Sequence, residues 1–283
     1  MKTRLMQKRT WLFVLAFLAV LGSGLFVKQA VKAESKSYTI YVNRQSNIVN
    51  VVNDHSKKVV RTMYCSTGKD NGTITGTFHT EEKYRWHALY GDVYGQYCTR
   101  INGPYLFHSI PYFSENNNAV ETEEFNKLGT QASMGCVRLA VVDAKWIYDH
   151  CDCGTKVVIG DKKDLVKPKF DPIKISTEKK AGWDPTDPDE RNPYRPTLKL
   201  KNKECTRIEK GSQFDPMTCI KVKSRTCDQE LLLSRVKVKG NVNPKKAGSY
   251  KVKYTVQDPV TELKRSLEVT YTVTEHRAEL HTC

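Results

Sequence analysis

Between residues 38 and 160 the chain consists mostly of short apolar runs, each closed by polar or turn-forming residues. Tyr38-Thr-Ile-Tyr-Val42, Ile48-Val-Asn-Val-Val52 and Val59-Val-Arg-Thr-Met-Tyr-Cys65 are rich in β-branched and aromatic residues, the pattern of successive hairpins. Thr77–His79 and Thr155–Ile159 add two more strands. Between these two a single helix is predicted, from about Val142 to His150, with Asp143 as its cap and Gly154 as its stop. Residues 161–195 are dominated by Asp, Lys and Pro. Trp183-Asp-Pro-Thr-Asp-Pro-Asp189 suits neither helix nor strand, so a linker is expected. From 196 to 275 a period of two returns: Val236–Gly240, Tyr250–Val256 and Ser266–Val273 alternate apolar and polar residues, so each strand buries one face. Gly248 and Asp258-Pro259 punctuate these strands, and no helical period is present. The predicted fold class is mainly β: a β-rich domain over 37–160 with a minor helical part, the linker, and a small β-sandwich over 196–275. The tail, 276–283, has no readable pattern apart from Cys283.

The first 33 residues depart from this pattern. Lys2, Arg4, Lys8 and Arg9 precede an uncharged run of 17 residues from Trp11 to Val27, and Val31-Lys32-Ala33 follows with small or apolar residues at signal-peptidase positions. Seventeen residues are at the short limit of a spanning helix, so 1–33 reads as a signal peptide or as an N-terminal membrane anchor. Either reading places the remainder outside the cytoplasm, in the cell wall or at the outer face of the plasma membrane, with the basic flank inside. The formal charge of the chain is +15, and residues 1–33 hold six Lys or Arg and no acid, which leaves +9. No Arg-rich helix or aromatic-interleaved basic motif points to nucleic acid. A basic protein outside a cell meets anionic wall polymers or lipid head groups; a solvated lysine-rich surface explains the same charge. Membrane contact is expected only through the N-terminal segment.

Nine cysteines in an exported chain call for a count. With Cys136 set aside, Cys65, Cys98, Cys151 and Cys153 fall before residue 160, and Cys205, Cys219, Cys227 and Cys283 fall after 200. Four and four is what two disulfide-stapled domains would give, with the connectivity open and one thiol left over. The His150-Cys151-Asp152-Cys153 cluster lacks a second ligand pair at zinc spacing, so no metal and no cofactor are expected.

The odd cysteine lies in Ala132-Ser-Met-Gly-Cys-Val-Arg-Leu139, downstream of Phe107-His-Ser-Ile-Pro-Tyr112. A lone Cys is usually a small buried hydrophobe and a lone His among apolar neighbours is usually structural. Together they have a second reading: Cys136 as a nucleophile, with His108 as the base that takes its proton and returns it to a leaving amine. Gly135 permits a sharp turn whose N–H groups could face an oxyanion. Ser133 could fix the loop or bind substrate, and Arg138 presents a fork suited to a carboxylate or peptide carbonyl.

In these segments the chain resembles the YkuD-type L,D-transpeptidases, the bacterial enzymes that cross-link peptidoglycan. That family's pattern is a His, a gap, then Ser-(often His)-Gly-Cys-apolar-Arg or Asn, here His108 and Ser133-Met-Gly-Cys-Val-Arg138. Ser66-Thr-Gly-Lys69, Gly76-Thr-Phe78 and Asp143-Ala144…Gly154-Thr-Lys-Val157 extend the match, in order, over about 38–160. Three positions depart from the pattern: Met134 where many members have His, Thr75 where Pro is frequent, and Ser109 where many have Gly. The resemblance implies an acyl-enzyme mechanism on peptidoglycan stem peptides. The Cys136 thiolate attacks the carbonyl before the terminal D-Ala, His108 acts as acid and then base, and a second stem's amine completes a 3→3 cross-link. Ser109, Ser133, Met134 and Arg138 are the expected substrate contacts, and carbapenems are expected to acylate Cys136. The segment around Gly248-Ser-Tyr-Lys-Val-Lys-Tyr-Thr-Val256 resembles the Ig-like domains of bacterial surface proteins, which implies a spacer or wall-docking module.

Other cysteine enzymes fit less well. The Thr-Leu-x-Thr pattern that precedes the sortase cysteine is missing, and papain-like and wall-amidase folds place Cys before His. Two alternatives keep the same resemblance: an L,D-carboxypeptidase that hydrolyses the acyl-enzyme, and an inactive wall-binding surface protein.

Overall fold

The computed structural model describes residues 37–161 and 164–275. The signal or anchor segment, Cys283 and the tail lie outside the described residues.

The first hairpin joins β1 (Tyr38–Asn43) and β2 (Ile48–Asn53). Its turn is set by Asn43, whose side-chain oxygen accepts from the Gln45 and Ser46 N–H groups at 2.9 Å, and by Asn47 at φ 52°. β3 (Val59–Ser66), β4 (Gly76–His79), β5 (Lys83–Leu89), β6 (Val93–Asn102), β7 (Tyr105–Ser109), β8 (Val120–Glu121), β9 (Val137–Leu139) and β10 (Lys156–Gly160) follow. A single turn, α1 (Thr122–Phe125), and the helix α2 (Val141–His150) complete the domain. Nine strands form one sheet in the order β4-β10-β1-β2-β3-β9-β7-β6-β5. Short β9 slots between β3, to which it is antiparallel, and β7, to which it is parallel. The core lies between this sheet and α2 and includes Ile40, Val51, Met63, Phe107, Leu139 and Ile147.

The linker docks on the first domain. Asn50 and Asn126 bracket it from two places: Asn50 exchanges bonds with Val166 N and O, and Asn126 with Ile175 N and O, in each case as a side-chain amide standing in for a strand neighbour. β11 (Ala181–Gly182) then pairs with β8. Asp184, Thr186, Asp187 and Asn192 are buried. Asp184 Oδ2 accepts from Val141 N at 2.9 Å and Thr186 Oγ1 accepts from Val142 N at 3.0 Å. These two residues therefore cap α2, and its own N-cap, Ala140, has no side chain able to do so. Asp143, the expected cap, sits inside the first turn and pairs with Arg61 instead, at 2.6 Å. The helix stops at Cys151, before Gly154.

The second domain has β12 (Thr197–Leu200) paired with β14 (Ile220–Lys223). A four-stranded sheet packs against them in the order β13 (Arg207–Glu209), β17 (Lys264–Thr274), β16 (Gly248–Gln257), β15 (Lys237–Lys239). Leu198, Val222, Val252, Tyr254 and Tyr271 share its core. One short helix, α3 (Gln229–Leu233), is present where no helical period was read; Asp228 caps it and Leu232 anchors it. Arg61 on β3 also binds Glu262, at 2.8 Å, and so ties the β16–β17 hairpin to the first domain.

None of the eight described cysteines is bridged, contrary to the four-and-four expectation. Cys65 on β3 and Cys98 on β6 are separated by β9 and β7. Three strand spacings amount to roughly 14 Å, beyond the span of about 7 Å between disulfide-linked Cα atoms. Cys153 donates to Glu81 O at 2.8 Å, and Cys219 to Cys205 O at 3.2 Å.

Asp184→Ala would strand the Val141 N–H at a buried helix start. We expect a loss of about 1–3 kcal/mol in urea unfolding. A chain ending at Gly160 should lose at least as much, because both caps go with it.

Candidate active site

His108 stands on β7 in direct register with Arg138 on β9, and Cys136 immediately precedes β9, which carries its side chain to the same cleft. The cleft measures about 470 Å³ and is lined by Cys136, His108, Arg138, Ser133, Gly135 and Met134, the residues expected from the sequence, and by His87, Arg100, Tyr105 and Tyr90, which were not. Its lining contains two arginines, two histidines and no carboxylate.

His108 is 2% exposed. Its Nδ1 lies 2.5 Å from Ser109 O, which can only accept, so Nδ1 carries the proton and Nε2 is the free base. Burial, aided by the nearby Arg138 charge, pushes the imidazole pKa down to about 3. Burial likewise raises the Cys136 thiol, against the Leu106 backbone bond and the Arg138 and Arg100 charges, which lower it. The resting pair is therefore neutral thiol and neutral imidazole, rather than a preformed thiolate.

The loop before Cys136 is held by two side chains, Ser133 and Thr73. Ser133 Oγ accepts from Gly135 N at 3.0 Å and donates to Cys136 O at 2.6 Å. Thr73 Oγ1 donates to Gly135 O at 2.8 Å and accepts from Gly68 N at 2.7 Å. Gly135 has φ 137°, and a Cβ there would meet Tyr105 Cε1 at 2.9 Å, so only glycine fits.

Several side chains expected at the substrate have other partners. Ser133, 1% exposed, is used within the loop, and the Gly135 N–H is committed to it. Ser109 is fully buried; its hydroxyl accepts from Gln96 N and donates to Ile110 O, both at 2.8 Å. Arg138 pairs with Glu124 at 2.5 Å and donates to Ala132 O at 3.2 Å, so it offers the cleft charge more than an open fork. Met134, 75% exposed, is the apolar side chain at the cleft mouth.

No pattern in the chain signals the support behind His108. Gln96 Nε2 donates to Asp187 Oδ2 at 3.1 Å, and Gln96 Oε1 accepts from Arg85 at 2.8 Å. A residue of the expected linker thus holds the strand whose backbone positions Ser109, and Ser109 O fixes the imidazole. Only the tertiary fold joins Asp187 to β6, across 91 positions. No group of His, Cys, Asp and Glu among the described residues is arranged to hold a metal ion.

Residues 37–159 match the family model for the L,D-transpeptidase catalytic domain (YkuD), and residues 198–273 match that for the Ig-like domain of bacterial surface proteins. A Bacillus subtilis (strain 168) protein named "Putative L,D-transpeptidase YciB" is 41% identical over 108 residues, covering 35% of this chain and 55% of that protein. A solved fused Zn-dependent amidase/peptidase/peptidoglycan-binding domain-containing protein from Clostridium acetobutylicum ATCC 824 is 35% identical, covering 44% of this chain and 51% of that one with a TM-score of 0.35. An L,D-transpeptidase from Mycobacterium smegmatis is 19% identical, covering 44% and 58% with a TM-score of 0.35. The chain spans about half the length of the relatives it matches.

Two outcomes follow from the buried histidine. Its folded pKa, about 3, lies below the ordinary value of 6.5, so the unfolded state takes up a proton first on acidification. The wild type should lose more stability than His108→Gln between pH 7.5 and 4.5, as urea midpoints would show. Asp187→Ala should slow iodoacetamide alkylation of Cys136, and Asp187→Asn, which keeps an acceptor for Gln96, should restore most of the rate.

Proposed function

Starting from residues 37–159 as a YkuD-family L,D-transpeptidase catalytic domain, followed by a bacterial surface Ig-like domain, we propose that this chain is an exported enzyme that forms 3→3 cross-links in peptidoglycan through a thioester on Cys136. The observation that carries the reading is the neutral, Nδ1-locked His108 on the strand beside Cys136 in an acid-free cleft.

The reaction runs in two halves. The donor stem peptide enters with its carbonyl before the terminal D-Ala facing Cys136. His108 Nε2 takes the thiol proton as Sγ attacks, and the Met134 and Cys136 N–H groups of the loop are the candidates to meet the oxyanion, because Gly135 N–H is already bonded. Collapse releases D-Ala, protonated by His108, and leaves the thioester. The side-chain amine of the third residue on a second stem then attacks; His108 removes its proton, and the new amide frees Cys136. The cationic cleft suits the carboxylates of stem peptides. The basic, apolar N-terminal segment supports work outside the cytoplasm, in the wall or at the outer face of the membrane.

Incubation with a disaccharide tetrapeptide should yield 3→3 dimers with release of D-Ala, and Cys136→Ala or His108→Ala should reduce the yield by at least 100-fold. Tripeptide without dimer would overturn transfer in favour of the L,D-carboxypeptidase. Full activity in Cys136→Ala would overturn the whole reading.

A further inference from the structure

The positive charge of the chain is concentrated in one domain. Residues 198–273 hold 17 Lys and Arg against 8 Asp and Glu, a net +9, whereas residues 34–197 hold 22 against 21. We propose that the outer sheet faces of the Ig-like domain are a docking surface for a linear phosphodiester polymer, with its lysines as the contacts.

The placement of the lysines carries this inference. On the β12–β14 ribbon Lys199 stands directly opposite Lys221, with Lys223 next along the strand, and neither strand contains an acid. On the other sheet Lys239 stands directly opposite Lys253, flanked by Lys237 and Lys251. All seven side chains are exposed. Like charges facing each other across strands cost stability, and among the described residues none of these ammonium groups has an ion-pair partner. Four of the domain's eight acids are committed elsewhere. Asp215 and Asp228 cap helical turns, Asp258 accepts from Val260 and Thr261 N–H, and Glu262 holds Arg61. Glu268, opposite Lys253, and Glu209, opposite Thr274, are the acids on the outer face of that sheet.

The chemistry of the faces selects the occupant. Thirteen of the 17 cations are lysines, compact hydrated charges that serve a phosphate without bidentate geometry. Lysines two apart on a strand repeat at roughly 6.8 Å and cross-strand pairs at roughly 5 Å, a regular array for a chain with one charge per repeat. The large exposed apolar residues of the domain are Leu233 on α3 and Val238, whose register partner Tyr254 faces the core. The lysine faces thus lack the apolar side chains that enter a membrane and the aromatics on which nucleic-acid bases stack.

The test uses residues 36–283, which contain both domains as one compact unit, with poly(glycerol phosphate) as the probe. Binding should be measurable at 50 mM salt and should weaken steeply on going to 200 mM. Lys199→Gln/Lys221→Gln and Lys239→Gln/Lys253→Gln should each weaken it at least threefold and lower the salt slope by about one per contacting lysine lost. Both double variants should keep or raise Tm, since each removes a like-charge pair, so a loss of binding is not unfolding. No binding at 50 mM salt, an unchanged affinity in the combined quadruple variant, or equal or tighter binding to vesicles of anionic lipid would each overturn the inference. Cys136→Ala should bind the polymer like the wild type, so failure of the enzymatic reading leaves this result standing.

Discussion

The burial of His108 is the constraint on which the site depends. An imidazole shut away from water is cheapest when neutral, and a neutral imidazole must still satisfy its one N–H. Ser109 O does so, which fixes the tautomer and leaves Nε2 as the free base. Burial therefore sets the protonation state, and one carbonyl sets the tautomer. The same burial raises the Cys136 thiol and so favours its neutral form.

That geometry rests on parts distant in sequence. The three-residue strand β9 enters between β3 and β7 and brings Cys136 into the cleft that His108 also lines. The loop ahead of it is held by Ser133 and Thr73, with glycine required at 135. Behind the histidine strand, Asp187 fastens Gln96, while Asp184 and Thr186 finish the helix α2. Residues 184–192 lie beyond the matched catalytic span, 37–159, yet they supply a helix cap and a buried hydrogen-bond acceptor to it. The boundary in sequence and the boundary in packing differ by some 30 residues, read from Ile159 to Asn192.

The mainly β fold, the single long helix and the pairing of Cys136 with His108 in one cleft could be read from the sequence, because they depend on local period and on a short motif. β5 and β6 could not. Their runs mix charged and aromatic residues, and Tyr97, at φ 48°, interrupts the alternation mid-strand. Asp143 looked like a cap because it opens the helix in sequence; the real caps arrive from about 43 residues downstream, which only tertiary structure can decide. The cysteine count pointed at Cys136 through disulfides that are absent among the described residues, so the motif and not the arithmetic carries that assignment. Ser109 is not among the cleft-lining residues, and the hydroxyls of Ser109 and Ser133 are taken up by backbone partners, which residue type alone cannot show.

The most direct test of Cys136 as the nucleophile is intact and peptide mass spectrometry after exposure to a carbapenem. A single adduct should map to Cys136, with the other cysteines unmodified, and should vanish in Cys136→Ala. No adduct on the wild type, or an undiminished one on the variant, would contradict the assignment.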